Sequence, residues 1–453
     1  MPDKLHKHFQ WVGVAIYLLA LLIVSICFTS YALKPLWIAW GISTVLFFFG
    51  LTYWFHRRWQ NDDSKKFIWK VFLWAFGIRA VYVGIIIFYY YFETGVSFEY
   101  GAADSWAYHR TACYLADLAR EGRIHDIFRI LNGKTLGFSD QGYTLYLTAL
   151  YTCFGKNILG PRLLKALMSA YMCVVIYKLT LRNLGDKTAR IAAVMAVFLP
   201  QFIHYNGTYM KETEMIFIAT LALERFDYLV HSKRYTFWNI VFPILLTALT
   251  FGFRTIIGMA LIASYLMYVI CCEKTLISNK ARIVFGSSVL LLAVILALTP
   301  IGWEMIMMFK INFSTGTANA RYMAPGFLTL PLTNLVEVAN PNQKMMNGTF
   351  FVKNYLAFFA LLSILAAFRE KQWRQLSHIG TYTLIYALMI AFSFAFKSER
   401  YHLPVMPGLL IMAAFAMTHF RKKDFKWFYA YGVLLLIAIV LWNYLKLAKG
   451  GLV

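Results

Sequence analysis

The sequence predicts an all-α, polytopic membrane protein with about 13 transmembrane helices. Hydrophobic residues make up 60% of its 453 residues and charged residues only 14%, with a mean hydropathy of +0.58. A soluble domain of this length would need far more charge to cover its surface. Apolar runs long enough to cross a bilayer recur along the whole chain. They fall at residues 10–33, 36–55, 67–92, 160–181, 189–205, 212–230, 236–252, 255–272, 283–301, 351–368, 376–396, 403–420 and 427–446.

The positive charges predict how the chain sits in the membrane. The formal net charge is +23, and Lys and Arg cluster in short segments between the apolar runs. This pattern is typical of cytoplasmic loops and argues against nucleic-acid binding. The first apolar run, from Trp11 to Leu33, lacks a small-residue cleavage site, so no cleavable signal peptide is expected. We predict the N-terminus inside and the C-terminus outside, with inner loops at 56–66, 182–188, 231–235, 273–282, 369–375 and 421–426.

One short apolar segment determines which side of the membrane the later loops are predicted to face. Residues 143–154 would form a helix of only about 18 Å, against a hydrocarbon core of about 30 Å. If they crossed the membrane, every later basic loop would face outward. We therefore place them in the outer interface, beside an amphipathic helix at 105–120.

Five regions follow from these spans, and function is expected in the two long outer loops. They are three N-terminal helices (1–92), a first long outer loop with interfacial helices (93–159), a central bundle (160–301), a second long outer loop (302–350) and a C-terminal bundle (351–453).

Polar residues that could carry chemistry gather on the predicted outer face. Asp104 lies in the run Ala-Ala-Asp-Ser-Trp-Ala-Tyr-His, ahead of a helical pattern that includes Tyr108. Aspartate is a favoured helix N-cap, and a helix N-terminus keeps a carboxylate ionised. An ionised carboxylate can also act as a general base, so the two interpretations are compatible.

Charged residues also lie at the outer ends of apolar helices. Lys211 and Glu212 open one helix, and Arg254 lies in a short outer turn. A charge in this position is costly unless it pairs or reaches the membrane interface, and such snorkelling is the structural explanation. The functional one is a site in which the cations bind a lipid-borne phosphate.

The most informative motif comes late in the chain. Glu399, Arg400, Tyr401 and His402 form an unbroken polar run just before Pro404 and an apolar helix. A proline at a helix start needs no functional explanation, because it lacks the N–H that the first turn leaves unpaired. Four adjacent polar residues at a membrane boundary predict a site.

Other chemistries are not indicated. The sequence contains no nucleotide-binding glycine loop, Walker lysine or zinc motif, so a cytoplasmic ATP- or nucleotide-sugar-driven mechanism is unsupported. A divalent metal is left open, with no motif in its support. The six cysteines lie mostly within apolar segments without metal-binding spacing, and are interpreted as packing residues. Arg79, inside the third span, is interpreted as a packed or paired intramembrane cation.

Three stretches of the chain resemble the GT-C superfamily of polyprenyl-phosphate-sugar-dependent glycosyltransferases. The branch that looks most similar contains bacterial relatives of protein O-mannosyltransferases and lipid A aminoarabinose transferases. The resemblance covers roughly residues 90–420, although family members often have Asp-Glu where this chain has Asp104-Ser105. The three stretches are Ala-Asp104-Ser-Trp-Ala-Tyr108, the segment from Gly155 to Glu212 with Phe198-Leu-Pro200 and Lys211-Glu212, and Glu399-Arg400-Tyr401-His402-Leu-Pro404.

The resemblance implies a multi-pass protein of the inner or plasma membrane with its active site on the extracytoplasmic face. The donor would be a sugar on a polyprenyl phosphate, usually undecaprenyl phosphate in bacteria, and the acceptor a hydroxyl of a glycan, lipid or protein. Asp104 would be the catalytic base of an inverting displacement. Lys211, Arg254 and Arg400 would hold the phosphate, and the loop that contains Arg321 would act as a lid.

Two other classes remain open at this stage. A Wzy-type polymerase or O-antigen ligase is also multi-helical and outward-facing, but depends on outer loops rich in Arg and His, and the acidic first loop argues against it. A lipid-linked-sugar flippase or other transporter places ionisable residues near the membrane midplane. Here the charges mostly avoid helix centres, with Arg79 and the Glu224-Arg225 pair as exceptions.

Overall fold

The part of the protein that the structure describes is built mainly from α-helices. The computed structural model describes residues 2–101, 103–133, 141–272, 276–298, 303, 307, 331–391 and 399–452. Its α-helices are α1 (Pro2–Cys27), α2 (Pro35–Trp59), α3 (Ser64–Thr94), α4 (Ala103–Arg120), α5 (Ile124–Gly133), α6 (Gln141–Phe154), α7 (Leu159–Leu184), α8 (Asp186–Phe198), α9 (Pro200–Gly207), α10 (Glu212–Ser232), α11 (Phe237–Phe253), α12 (Thr255–Cys271), α13 (Asn279–Ala297), α14 (Pro341–Met345), α15 (Asn347–Arg369), α16 (Trp373–Ala391), α17 (Met406–Thr418) and α18 (Phe425–Lys449). A 3-10 segment, Glu399–Val405, leads into α17.

Seven helical segments of the described chain are long and apolar enough to cross a membrane. Helices α11 and α12 are apolar but have 17 residues each, about 26 Å. Helix α10 carries five acidic or basic residues, which lowers its hydropathy. The segments that qualify are Lys7–Cys27, Pro35–Trp59, Ser64–Thr94, Leu159–Leu184, Asn347–Arg369, Glu399–Thr418 and Lys422–Lys449.

The predicted span 189–205 is interrupted. Leu199 adopts an extended conformation between α8 and α9, and Pro200 opens the second helix. Proline has no N–H to donate and its ring crowds the preceding turn, which favours a break before Pro200, although α11 continues through Pro243. This part of the chain therefore forms two short helices instead of one continuous helix.

Arg79 donates hydrogen bonds to backbone carbonyls at this interruption. Its side chain is fully buried, and it donates hydrogen bonds to the carbonyls of Ala196 and Val197 at 3.0 and 3.1 Å and to the Ser169 hydroxyl at 2.8 Å. An unbroken helix would pair these two carbonyls with the N–H groups four residues later. The intramembrane arginine predicted to be packed or paired is thus hydrogen-bonded, and its role is structural.

Replacing Arg79 is expected to destabilise the bundle. Arg79→Met leaves two buried carbonyls without a donor, at a cost of about 3 kcal/mol in the free energy of unfolding. The thermal unfolding midpoint in detergent should fall clearly. Arg58→Met is the control, because Arg58 is exposed and lies over the Trp54 ring; equal midpoints for the two variants would contradict this role.

The helix ends fall into two groups, and one group surrounds the start of α15. Asn347 donates a hydrogen bond to the Trp37 carbonyl near the start of α2, at 3.0 Å. Asn342, just before α15, donates to the carbonyl of Tyr100, which follows α3, at 2.8 Å. We call this the Asp104 end of the bundle, because Asp104 lies in the first turn of the next helix, α4.

The second group of helix ends carries the predicted inner loops. Arg190, in the first half of α8, donates to the Trp59 carbonyl at the end of α2, at 2.9 Å. Arg182, in the last turn of α7, pairs with Asp227 near the end of α10 at 2.7 Å. These residues lie at the opposite end of the helices from Asn347 and Tyr100.

Helix α6 lies across the Asp104 end. The hydroxyls of Tyr143 and Tyr151, two turns apart on α6, both hydrogen-bond Tyr209 in the segment before α10. At the start of α6, a Cβ on Gly142 would lie 2.8 Å from the carbonyl carbon of Gly252, so this approach of α6 to α11 requires glycine. The position suits a helix that is too short to cross the membrane.

Candidate functional site

A polar cavity opens at the Asp104 end of the bundle. It has a volume of about 290 Å³ and is walled by α4, α6, the start of α10, the turn between α11 and α12, and the Glu399–Val405 segment. Seven of the residues singled out from the sequence line it. The lining residues are Asp104, Ala107, Tyr108, Thr111, Leu131, Gln141, Thr144, Met210, Lys211, Glu212, Arg254, Arg400 and Tyr401.

Asp104 and Arg400 meet directly in this cavity although they lie far apart in the sequence. The Arg400 guanidinium donates to a carboxylate oxygen of Asp104 at 2.5 Å, and a second guanidinium nitrogen donates to the Tyr401 hydroxyl at 3.0 Å. The Arg400 side chain keeps 25% of its surface exposed, and the Asp104 side chain keeps 48%. Both are therefore accessible to a ligand that enters the cavity.

A second carboxylate and a second guanidinium face each other nearby. Arg254 approaches the Glu212 carboxylate at 4.0 Å and lies over the Tyr401 ring, 4.4 Å from its centroid. With Lys211 and the Asp104–Arg400 pair, the cavity walls carry three basic and two acidic side chains. This excess of positive charge favours an anionic ligand.

Lys211 is the most buried of the three basic residues. Its ammonium group donates to the Phe253 carbonyl at 2.8 Å, and the residue is 3% exposed. Burial, and to a smaller extent the nearby Arg254, lower the pKa of Lys211 to about 7, while Glu212 opposes these effects. The charge of this lysine therefore changes near neutral pH.

The affinity of the cavity for an anion should consequently depend on pH. Protonated Lys211 attracts an anion and neutral Lys211 does not, so affinity is full below about pH 6 and falls as the pH rises through 7. A suitable probe is dodecyl methyl phosphate, a diester whose single charge is constant over this range. Titration calorimetry at several pH values should show the fall; Lys211→Met should bind more weakly and give a flat profile, and a sloping profile in that variant would contradict the assignment.

Tyr108 and two residues of α6 also line the cavity. The Tyr108 ring packs edge-on against Tyr143 at 5.1 Å, and burial raises the pKa of its hydroxyl, which remains a donor at neutral pH. Gln141 and Thr144 also face the cavity. α6 lies in the first long outer loop, where function was expected, but none of its residues was among the predicted site residues.

Glu99 links two segments that border the cavity. This carboxylate is buried, accepts a hydrogen bond from the Ser105 hydroxyl, and accepts another from the Tyr209 N–H at 3.1 Å. It thereby joins the first turn of α4 to the segment just before Lys211. Glu99 was not among the predicted site residues, and the signal that could have found it is an acidic residue only five positions before Asp104 in the first long outer loop.

Two residues of the late polar motif do not face the cavity. Glu399 is buried and pairs with Lys353 of α15 at 2.9 Å. His402 is also buried and is absent from the cavity lining. Glu399 and His402 therefore do not line this cavity with Arg400 and Tyr401, because successive residues of a 3-10 helix point about 120° apart, and their contact with a ligand stays a prediction. Arg321 lies outside the described residues.

An apolar groove lies close to the polar cavity. It has a volume of about 720 Å³ and runs between α2, α3 and α9, with the Tyr82 hydroxyl and a His204 ring nitrogen hydrogen-bonded at 3.0 Å in its wall. Tyr205, the next residue, lies within electrostatic range of Glu212 and Arg400. The groove is lined by Trp40, Ser43, Thr44, Phe47, Leu73, Trp74, Gly77, Ile78, Val81, Tyr82, Ile85, Pro200, Ile203, His204, Met345 and Thr349.

The fold and the cavity define a helical protein with seven segments long and apolar enough to cross a membrane, and with a polar cavity at one end of its bundle, in the part of the chain that the structure describes. No protein-family model matches the chain, and no curated protein matches its sequence. In the part of the chain that the structure describes, no group of three or more His, Cys, Asp or Glu side chains is arranged to hold a metal ion.

Proposed function

We propose that the protein is a membrane glycosyltransferase of the GT-C type, which moves a sugar from a polyprenyl phosphate to an acceptor hydroxyl on the extracytoplasmic face. The observation that carries the proposal is the meeting of Asp104 with Lys211, Arg254 and Arg400 in one cavity. A carboxylate supplies a base and the cations suit a phosphate leaving group. The positive charge of the predicted inner loops supports the outward placement of this end.

The proposed reaction is a single displacement at the anomeric carbon. The acceptor oxygen forms a bond to this carbon while the bond from carbon to the phosphate oxygen breaks. The acceptor proton passes to Asp104, and the bonding electrons leave with the polyprenyl phosphate, so the configuration inverts. Before this step the donor phosphate replaces Asp104 as the partner of Arg400, which frees the carboxylate to accept a proton.

The cations act where negative charge grows during this step. Arg400 and Arg254 flank the Tyr401 ring at 4.9 and 4.4 Å, which holds two guanidinium groups at one wall of the cavity. Preorganised donors of this kind stabilise a departing phosphate without reorganising during the reaction. The apolar groove beside the cavity supports a donor that carries a long hydrocarbon chain.

Mass spectrometry of lipid-linked sugars tests the proposal. Deleting the gene should cause one polyprenyl-phosphate sugar to accumulate and the same sugar to disappear from a cell-surface glycan, lipid or protein. The wild-type gene should reverse both changes, and a gene that encodes Asp104→Asn should reverse neither. An unchanged lipid-linked sugar pool would contradict the transferase.

The same comparison separates a transporter from a transferase. A flippase has no need of a base at Asp104, so Asp104→Asn would restore the glycan as fully as the wild-type gene does. A Wzy-type polymerase would instead leave a diphosphate-linked oligosaccharide in the deletion strain. The donor that accumulates therefore identifies the class.

A further inference from the structure

Glu399 and Arg400 are neighbours in sequence, but their side chains lie in different environments. The Arg400 side chain reaches the polar cavity, whereas the Glu399 side chain is 3% exposed and turns to Lys353 of α15. Lys353 is itself 1% exposed, and its ammonium group lies 2.9 Å from the Glu399 carboxylate. Neither member of this pair lines the cavity.

A gain in stability does not explain why the Lys353–Glu399 ion pair is buried. Removing both charges from water costs several kcal/mol per ion, and the attraction between them roughly restores this amount, so apolar residues of the same size are commonly as stable. Lys353 is also the only charged residue of α15 before its last position, Arg369. A charge within an apolar membrane helix is retained for a function in most cases.

The geometry of the Glu399–Val405 segment supplies such a function. This segment is a 3-10 helix, in which successive side chains point about 120° apart. When Glu399 is held against α15, Arg400 must turn away from α15. Its guanidinium then reaches Asp104 at 2.5 Å and the Tyr401 hydroxyl at 3.0 Å.

We infer that Lys353 and Glu399 are positioning residues, a buried ion pair that fixes the direction of Arg400 and so builds the anion-binding wall of the cavity. The inference rests on the proposed function for its role in catalysis. The local geometry that it describes can be tested without any enzymatic assay.

Three variants distinguish a role of the pair in orienting Arg400 from a general contribution to stability. Lys353→Met leaves the Glu399 carboxylate buried without its cation. Lys353→Met/Glu399→Leu removes both charges, which should recover thermal stability. Arg369→Met is the matched control, because Arg369 pairs with Asp424 at 3.0 Å at the far end of the same helix.

Amide hydrogen exchange and anion binding are the two measurements. In Lys353→Met, exchange of the 399–405 peptide should rise about tenfold and the affinity for dodecyl methyl phosphate should fall about tenfold, whereas Arg369→Met changes neither. In the double variant stability returns but the affinity stays low. If both stability and affinity return, or if exchange of 399–405 is unchanged in Lys353→Met, the pair has no positioning role.

The proposed function and this inference fail in different ways. Wild-type protein that does not bind dodecyl methyl phosphate would contradict a phosphate site and thus the transferase. The exchange of residues 399–405 would still decide whether Lys353 holds the segment. A wild-type protein that binds the probe, together with unchanged exchange in Lys353→Met, would overturn only the positioning pair.

Discussion

Asp104→Asn should abolish sugar transfer and leave donor binding intact. Asparagine preserves the shape of the side chain and its carbonyl can still accept a hydrogen bond from Arg400, but it cannot take a proton from an acceptor hydroxyl. Loss of a general base lowers turnover by roughly a hundred- to ten-thousand-fold. The affinity for a polyprenyl-phosphate sugar should stay the same or rise, because Arg400 no longer has an anionic partner to exchange for phosphate.

The measurement is single-turnover transfer in nanodiscs, with donor binding determined separately. Asp117→Asn is the control, because Asp117 lies on the same helix, α4, and pairs with Lys156 at 2.6 Å on an exposed surface. That variant should transfer sugar at the wild-type rate. Undiminished turnover in Asp104→Asn would remove the base from the mechanism, and an equal loss in both variants would point to damage of α4.

The sequence made the charged residues of the cavity conspicuous for a physical reason. In a chain with only 14% charged residues, a charge beside an apolar run must either reach the interface or find a partner. Asp104, Arg254 and Arg400 all follow from this reasoning, and the alternation of spans assigns them to one end of the bundle. Which of them touch depends on helix packing, which the pattern of spans does not contain.

The late polar motif shows the limit of reasoning from adjacency. Four neighbouring polar residues were assigned to one site, but the Glu399–Val405 segment is a 3-10 helix and divides them between two environments. Arg400 and Tyr401 line the cavity, while Glu399 and His402 are buried away from it. A sequence run does not reveal this division, because the local helix type sets the direction of each side chain.

Glu99 and Lys353 were not among the predicted site residues, for a related reason. Glu99 and Lys353 do not contact the cavity, so no motif marked them, yet each contacts a residue beside a cavity residue. Lys353 carried a usable signal, since it is a lone charge inside the predicted span 351–368. Pro200 was also a signal for the interruption at Leu199, because a proline lacks the N–H that a helix interior needs, although Pro243 is accommodated within α11.

Arg400→Gln should be the most damaging substitution among the cations. Arg400 is the basic residue that bonds Asp104 directly, and its guanidinium also reaches the Tyr401 hydroxyl. Removing one preorganised donor to a developing charge costs about 3–4 kcal/mol, or roughly a hundred- to thousand-fold in turnover. Donor affinity should fall as well, because the ground-state phosphate loses the same contact.

Arg400→Lys distinguishes charge from geometry at this position. Lysine keeps the positive charge but lacks the planar fork that binds two partners at once, so it should recover only a small part of the lost turnover. Arg110→Gln is the control, because Arg110 is exposed on α4 and lies over the Trp106 ring, 5.1 Å from its centroid. Transfer kinetics should rank wild type and Arg110→Gln together, then Arg400→Lys, then Arg400→Gln. Full activity in Arg400→Gln would contradict this role and mean that other groups stabilise the leaving phosphate. Lys211 and Arg254 are the weaker candidates, because Lys211 is largely neutral above pH 7 and Arg254 is partly balanced by Glu212.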